Sequence, residues 1–134
     1  MTTHARGTFD VTVTSLPPGE RGGHAAVDRL TLDKQFHGDL EATSAGQMLA
    51  VSTTVADWAG YVAMEQVTGR LHGQRGTFAL QHSGTMTRGA PALSVTVVPD
   101  SGTGSLVGLA GTLVIDIVDG EHRYDFAYTL PASP

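Results

Sequence analysis

Two ionisable side chains occupy positions at which an alternating pattern calls for apolar ones. In "GTFALQHSGTM", Phe78 and Leu80 share one face of a predicted β-strand, and the next residue on that face is His82. The preceding segment "GYVAMEQVTGRL" carries Glu65 on its more apolar face. A carboxylate that holds an imidazole fixes its tautomer and raises its basicity, so the imidazole can transfer a proton near neutral pH. The two residues therefore predict an acid–base pair, provided that their strands lie side by side.

A tight turn between the two segments would bring the pair together. If Gly73 and Gln74 form this turn, Glu65 lies directly opposite His82 on the neighbouring strand. The face that carries them is the more apolar one, so we expect it to point into the lumen of a barrel. The predicted ligand contacts on this face are Tyr61, Glu65, Phe78, Leu80, His82 and Met86, with Glu65 and His82 as the candidate catalytic residues.

Other interpretations of the pair stay open from the sequence. One alternative is that Glu65 and His82 only satisfy each other, because a buried ion pair is tolerated where a lone buried charge is not. Another is that they contact a ligand without catalysing a reaction. A two-residue slip in the turn would also remove their direct facing.

Further residues are predicted to lie near the ends of the lumen. Tyr61, Tyr124 and Tyr128 are expected to add hydrogen-bond donors at its mouth, and Trp58 is expected to plug an end or to stack on a ligand. His122 is expected to be solvated in a turn segment. The orientation of Glu41 is left open by its neighbours.

Sequence motifs for metal, nucleotide or serine-hydrolase chemistry are absent. No H-x-H or H-E-x-x-H pattern occurs among the six histidines, so we predict no metal site. The glycine-rich "SGTGSLVGLAG" lacks the Gly-Lys-Ser/Thr ending of a P-loop, and Gly-x-Ser-x-Gly does not occur. We therefore expect no cofactor.

Eight alternating segments are predicted to position these residues. The frequent Val and Thr, with 17 glycines, indicate short strands joined by turns. Asp119-Gly120 is a dipeptide typical of a type I′ hairpin, which would place Asp116 opposite Arg123 as a cross-strand ion pair. The strands are "GTFDVTVT", "VDRLTLDKQF" (with Lys34 as an exception on its apolar face), "LEATSAGQMLA", "GYVAMEQVTGRL", "GTFALQHSGTM", "ALSVTVV", "GTLVIDIV" and "HRYDFAYTL". We predict an all-β fold, a single closed eight-stranded antiparallel β-barrel, because closure removes exposed sheet edges.

Composition limits the partners of the chain. Its 134 residues fit a single domain, residues 1–134. The net charge of −5 and the absence of Lys/Arg runs argue against nucleic acid or an anionic membrane as partners. No signal peptide or membrane-spanning apolar run is visible, so we expect a cytoplasmic protein. The low charged fraction, 16%, leaves a homo-oligomer open.

Two long segments resemble a bacterial family of domains of unknown function. They are "GYVAMEQVTGRLHGQRGTFALQHSGTM" and "VVPDSGTGSLVGLAGTLVIDIVDGEHRYDFAYTLP", and the resemblance extends over nearly the whole chain. The family is similar in fold to allene oxide cyclase, a calycin-related barrel. The resemblance implies a barrel and no established reaction. We predict a lumen that binds a small, largely apolar molecule, with two alternatives: an isomerase or cyclase that uses Glu65 and His82, and a solid-core barrel that acts through its surface or by self-association.

Overall fold

The eight predicted strands form a closed barrel. The computed structural model describes residues 2–16, 27–52 and 59–131. Each strand pairs antiparallel with the next, and β8 pairs with β1, which confirms the predicted fold. The strands are β1 (Thr3–Ser15), β2 (Asp28–Gly38), β3 (Leu40–Ser52), β4 (Ala59–Leu71), β5 (Gln74–Thr87), β6 (Ala90–Val97), β7 (Ala110–Val118) and β8 (Glu121–Thr129). Among the described residues, no helix has both the length and the apolar character needed to cross a membrane.

Strict alternation along the strands fills the lumen. On β5, Phe78, Leu80 and His82 are buried, whereas Gln81 and Ser83 between and after them are exposed. The same alternation on the other strands directs one face of the sheet inward. The side chains that point into the lumen are therefore mostly apolar, and the few polar ones among them occupy the same alternating positions along the strands.

One end of the lumen, here called the packed end, is filled by side chains. The segment from 98 to 109, which includes a 3₁₀ helix (Gly104–Leu106), covers this end and hydrogen-bonds the edge of β5 where β6 no longer pairs with it. Leu106 and Leu109 from this segment are buried in the core. The rings of Phe78 and Phe126 stack there with centroids 5.8 Å apart. At the opposite end, here called the cavity end, β1, β3, β5 and β7 end and β2, β4, β6 and β8 begin.

The turn between β4 and β5 differs from the prediction. His72 and Gly73 are its central residues, with φ of 46° and 77°, as a type I′ turn requires. The predicted turn at Gly73–Gln74 is wrong. It would place glutamine at the second central position, where glycine is favoured because φ must be positive, whereas histidine tolerates positive φ at the first.

The strand register moves with that turn. Glu65 pairs with Leu80, and His82 pairs with Ala63, so the predicted direct pairing of Glu65 with His82 is also wrong. A shift of two residues preserves the face of every side chain, because the period of a strand is two. Glu65 and His82 consequently remain inside the barrel as diagonal neighbours.

The β7–β8 hairpin has the predicted register. Asp119 and Gly120 form its turn with φ of 52° and 78°, and Asp116 pairs with Arg123. Arg123 does not form the expected ion pair with Asp116 but pairs with Glu121 instead. Nε of Arg123 donates to a carboxylate oxygen of Glu121 at 3.0 Å, on the exposed outer face.

Candidate functional site

A cavity of about 500 Å³ occupies the cavity end of the lumen. Its walls are mostly apolar side chains from β1 to β8, and its volume lies in the range of small-molecule sites. The polar residues that line it are Lys34, Ser52, Tyr61, His82, Thr85 and His122. The cavity therefore combines an apolar wall with a small set of polar side chains.

The floor of the cavity is a buried cluster centred on Glu65. One carboxylate oxygen of Glu65, Oε1, lies 3.0 Å from Nζ of Lys34 and 2.7 Å from Nε2 of His82. The other oxygen, Oε2, accepts a hydrogen bond of 2.6 Å from Oγ of Ser44. The side chains of Glu65, Lys34 and His82 are 0%, 6% and 4% exposed. We call these four residues the floor cluster.

Four neighbouring strands each supply one member of the floor cluster. Lys34 on β2 pairs with Ser44 on β3, and Glu65 on β4 pairs with Gly46, the next inward position of β3. Gly46 makes room for the glutamate, because a Cβ built on it would lie 2.7 Å from Cβ of Glu65. His82 on β5 then reaches the same carboxylate diagonally across the β4–β5 pair.

The floor cluster keeps Glu65 ionised. Burial by itself raises the pKa of this carboxyl. The hydrogen bond from His82, the positive charge of Lys34 and the hydrogen bond from Ser44 outweigh burial and lower the pKa from 4.5 to about 2. Burial also raises the pKa of the nearby Tyr61 hydroxyl, with a further contribution from the negative charge of Glu65. The phenol of Tyr61 therefore stays neutral and can donate a hydrogen bond into the cavity.

The ionised carboxylate determines the tautomer of His82. Because Oε1 of Glu65 can only accept, Nε2 of His82 carries a proton and donates it in the hydrogen bond. Nδ1 then remains as the second ring nitrogen, and no residue in the described ranges hydrogen-bonds to it. A neutral imidazole held in this way can take up a proton at Nδ1.

Lys34 is the only lysine of the chain, and it lies on the floor of the cavity. Its ammonium lies 5.0 Å from the ring centroid of Phe9 and 5.8 Å from that of Phe36, within range of cation–π attraction. An ammonium has three N–H donors, and Glu65 accepts one of them.

The six predicted ligand contacts divide into three groups. Tyr61, His82 and Met86 line the cavity. Glu65 lies beneath the floor and reaches the cavity through Lys34 and His82. Phe78 and Leu80 are 1% and 0% exposed in the packed core and do not line the cavity. Each strand runs from the packed end to the cavity end. Residues on the same inward face therefore lie in the packed core at one end of the strand and line the cavity at the other.

Two members of the floor cluster were not predicted. Lys34 stands out in the sequence as an exception on the inward face of β2, and that exception is the signal that could have identified it. Ser44 follows from the same alternation on β3, but a buried serine is too common to indicate a site. His122, expected to be solvated, lines the cavity and packs against Phe9 with ring centroids 5.1 Å apart.

Of the three predicted mouth donors, Tyr61 lines the cavity, whereas Tyr124 and Tyr128 lie at the packed end. The Tyr124 hydroxyl donates to the carbonyl oxygen of His37 and accepts from the amide of Leu40, each at 2.9 Å. Tyr128 hydrogen-bonds His72 beside the β4–β5 turn. The prediction is wrong for Tyr124 and Tyr128 because β8 leaves the cavity end at His122, so the inward-pointing residues that follow His122 lie nearer the packed end.

The remaining sequence predictions fall on other parts of the molecule. Glu41 is exposed on the outside of the barrel, and Trp58 lies outside the described residues. Within residues 2–16, 27–52 and 59–131, no group of three or more His, Cys, Asp or Glu side chains could hold a metal ion.

Comparisons with known proteins place the chain among proteins of unknown function. Residues 5–128 match the model of the family described as "Protein of unknown function (DUF3224)". The fold is similar to a crystal structure of a protein of unknown function from that family, from Shewanella oneidensis MR-1. The two chains are 45% identical, the match covers 99% of this chain and 100% of that one, and the TM-score is 0.91. None of the curated proteins matches the chain.

Proposed function

The chain belongs to the DUF3224 family, whose function is unknown, and from this premise we propose that it binds a small, largely apolar molecule in the cavity end of its lumen. The observation that carries the proposal is the cavity of about 500 Å³ beside a lumen that is otherwise filled. An apolar wall with a few convergent polar groups is the usual composition of a small-molecule site.

The contrast within the lumen supports binding over a purely structural role. A barrel selected only for stability would fill both ends, because an unfilled apolar cavity costs stability through lost contacts. Among the described residues, aromatic and leucine side chains fill the packed end, whereas none fills the cavity end. The alternative of a solid-core barrel requires side chains that fill the cavity end, and the described part of the chain supplies none.

Binding is tested with the neutral apolar dye N-phenyl-1-naphthylamine, whose fluorescence rises in an apolar site. We expect saturable binding by the wild-type protein. Ala50 lines the cavity and Leu49 beside it points outward, 47% exposed, so the two form a matched pair. Ala50→Phe fills the cavity and should abolish dye binding, whereas Leu49→Phe should leave it unchanged.

Either of two results would overturn the binding proposal. One is the absence of saturable dye binding by the wild-type protein. The other is equal dye binding by Ala50→Phe and the wild type, since this would place the dye elsewhere. The melting temperatures of both variants serve as a folding control.

A second candidate function is proton transfer in the same cavity, and the 2.7 Å contact between Glu65 and His82 favours it. In this function Nδ1 of His82 removes a proton from a carbon next to a carbonyl group, and the ammonium of Lys34 stabilises the oxyanion that forms. Return of the proton to a conjugated carbon completes an isomerisation without any other reactant, whereas its return to the same carbon regenerates the substrate. Glu65 positions the imidazole and does not touch the substrate.

Proton transfer is tested by exchange of the α-hydrogens of the apolar ketone 2-tetralone in deuterium oxide, followed by NMR. We expect the wild-type protein to accelerate exchange with a pH dependence that His82→Ala abolishes. Glu65→Gln should lower the rate and change the pH profile, because the tautomer of His82 is no longer fixed. Exchange at the same rate in wild type and His82→Ala excludes His82 as the base.

A further inference from the structure

The described residues that line the cavity include a positively charged side chain and no negatively charged one. Lys34 and His82 lie on its floor, and Tyr61 has a hydroxyl that stays protonated. No Asp or Glu side chain from the described part of the chain lines the cavity. Glu65, which lies beneath the floor, already uses both carboxylate oxygens within the floor cluster. Among the described residues, a ligand inside the cavity therefore meets the positive charge of Lys34 and the hydroxyl donor of Tyr61, and no carboxylate that lines the cavity accepts from it.

The ammonium of Lys34 has more N–H donors than the described residues pair. Its side chain is 6% exposed, and its hydrogen bond within the described residues goes to Glu65. The rings of Phe9 and Phe36 lie near it but accept no conventional hydrogen bond. Buried N–H donors are normally paired, and an unpaired one destabilises the protein. A ligand oxygen above the floor would pair the remaining donors of Lys34.

The geometry points to an anionic ligand, an apolar molecule with a single carboxylate that lies against Lys34 with its apolar body along the cavity walls. This inference rests on the proposed function and gives the class of its ligand. An ammonium ligand finds no acceptor of opposite charge among the described residues that line the cavity. A neutral alcohol pairs one donor but gains no attraction between charges, which is stronger in an apolar site than in water.

The inference is tested by displacement of N-phenyl-1-naphthylamine at neutral pH with octanoate, octanol and octylamine. These three probes share an alkyl chain and differ in the charge of the head group. We expect octanoate to bind roughly tenfold to a hundredfold more tightly than octanol, the contribution of one hydrogen bond to a charged group. We expect octylamine to bind most weakly.

Variants at Lys34 separate the charge from the shape of the cavity. Lys34→Met keeps the length of the side chain and removes its charge, so octanoate should lose its advantage over octanol while octanol itself still binds. Because this change leaves Glu65 without its lysine, the double variant Lys34→Met/Glu65→Gln, which removes both charges of the pair, provides a second test. It should show the same loss.

The outcomes distinguish this inference from the proposed function. If the dye binds and octanoate competes no better than octanol, the anionic ligand is overturned and the binding site stands. If octanoate retains its advantage in both variants, Lys34 is not its partner and the inference is also overturned. If the dye itself does not bind the wild-type protein, the proposed function fails first.

Discussion

The two ends of the lumen differ in how completely the side chains of the strands fill them. At the packed end, Phe78 and Phe126 stack in the same core cluster as Leu106 and Leu109, and all four are almost completely buried. At the cavity end, the same eight strands enclose about 500 Å³ that their side chains do not fill. Between the two ends lies the floor cluster, in which ionised Glu65 is held by groups from three other strands.

The packed end and the floor cluster differ in what they contribute to stability. The packed end contributes apolar burial, the main favourable term in folding. The floor cluster contributes less to stability than an apolar packing of the same volume would, because its charges lose their hydration on burial. The unfilled cavity and the buried lysine both lower stability, and this supports the proposal that the cavity binds a ligand.

The largest effect is expected from breaking the floor cluster at its centre. Glu65→Gln leaves the ammonium of Lys34 buried without a counter-ion, and we expect a loss of about 3–5 kcal/mol in the free energy of unfolding. Urea unfolding followed by circular dichroism measures the loss. The double variant Lys34→Met/Glu65→Gln should recover most of it. If Glu65→Gln unfolds with wild-type stability, the ion pair described here is not formed in solution.

A matched pair of leucine truncations compares the two environments directly. Leu80 is completely buried in the core, whereas Leu32 lines the cavity. We expect Leu80→Ala to lower the free energy of unfolding by about 2–5 kcal/mol and Leu32→Ala to lower it by clearly less, because the space beside Leu32 is already unfilled. Equal losses measured by urea unfolding would show that the cavity is closed in solution.

The acid stability of the protein should depend on Glu65. Its pKa is lowered on folding from 4.5 to about 2, so its ionised form stabilises the fold above pH 4.5, and this contribution is lost as pH falls to about 2. The difference in pKa corresponds to about 3 kcal/mol. The free energy of unfolding, measured by urea titration across this range, should fall by this amount in the wild type.

A carboxylate on the outer surface provides the control for this pH dependence. The pKa of Asp125 is lowered by hydrogen bonds from His4 and Arg6, but its side chain is 39% exposed. Asp125→Asn should retain most of the acid-induced loss, because solvent screens an exposed ion pair. Glu65→Gln should remove it. The reverse pattern would place the acid-sensitive group outside the lumen.

Sequence alternation predicts much of this structure for a physical reason. A period of two assigns each side chain to a face whatever the register, so Glu65 and His82 were correctly predicted to lie inside the barrel even though the β4–β5 turn was misplaced. The Asp119-Gly120 turn was predicted because its dipeptide strongly favours one geometry.

The rest depends on contacts between strands that are distant in sequence. Lys34 reaches Glu65 across β3, and this contact follows only from the registers of two strand pairs together. The division of the lumen into a filled and an unfilled end depends on the segment from 98 to 109. The backbone of this segment is irregular, so its sequence has no alternating pattern from which the buried residues could be predicted. A cytoplasmic location and a homo-oligomer stay predictions.

The most direct test uses the fact that Lys34 is the only lysine of the chain. Protein labelled with ¹³C at the lysine ε-carbon gives a single lysine resonance in an NMR spectrum, and this resonance comes from the floor of the cavity. Titration with octanoate should shift it saturably, at the concentrations that displace the dye, and octylamine should not. If octanoate leaves the Lys34 resonance unchanged at concentrations that displace the dye, or displaces no dye at all, the cavity is not the anion-binding site described here.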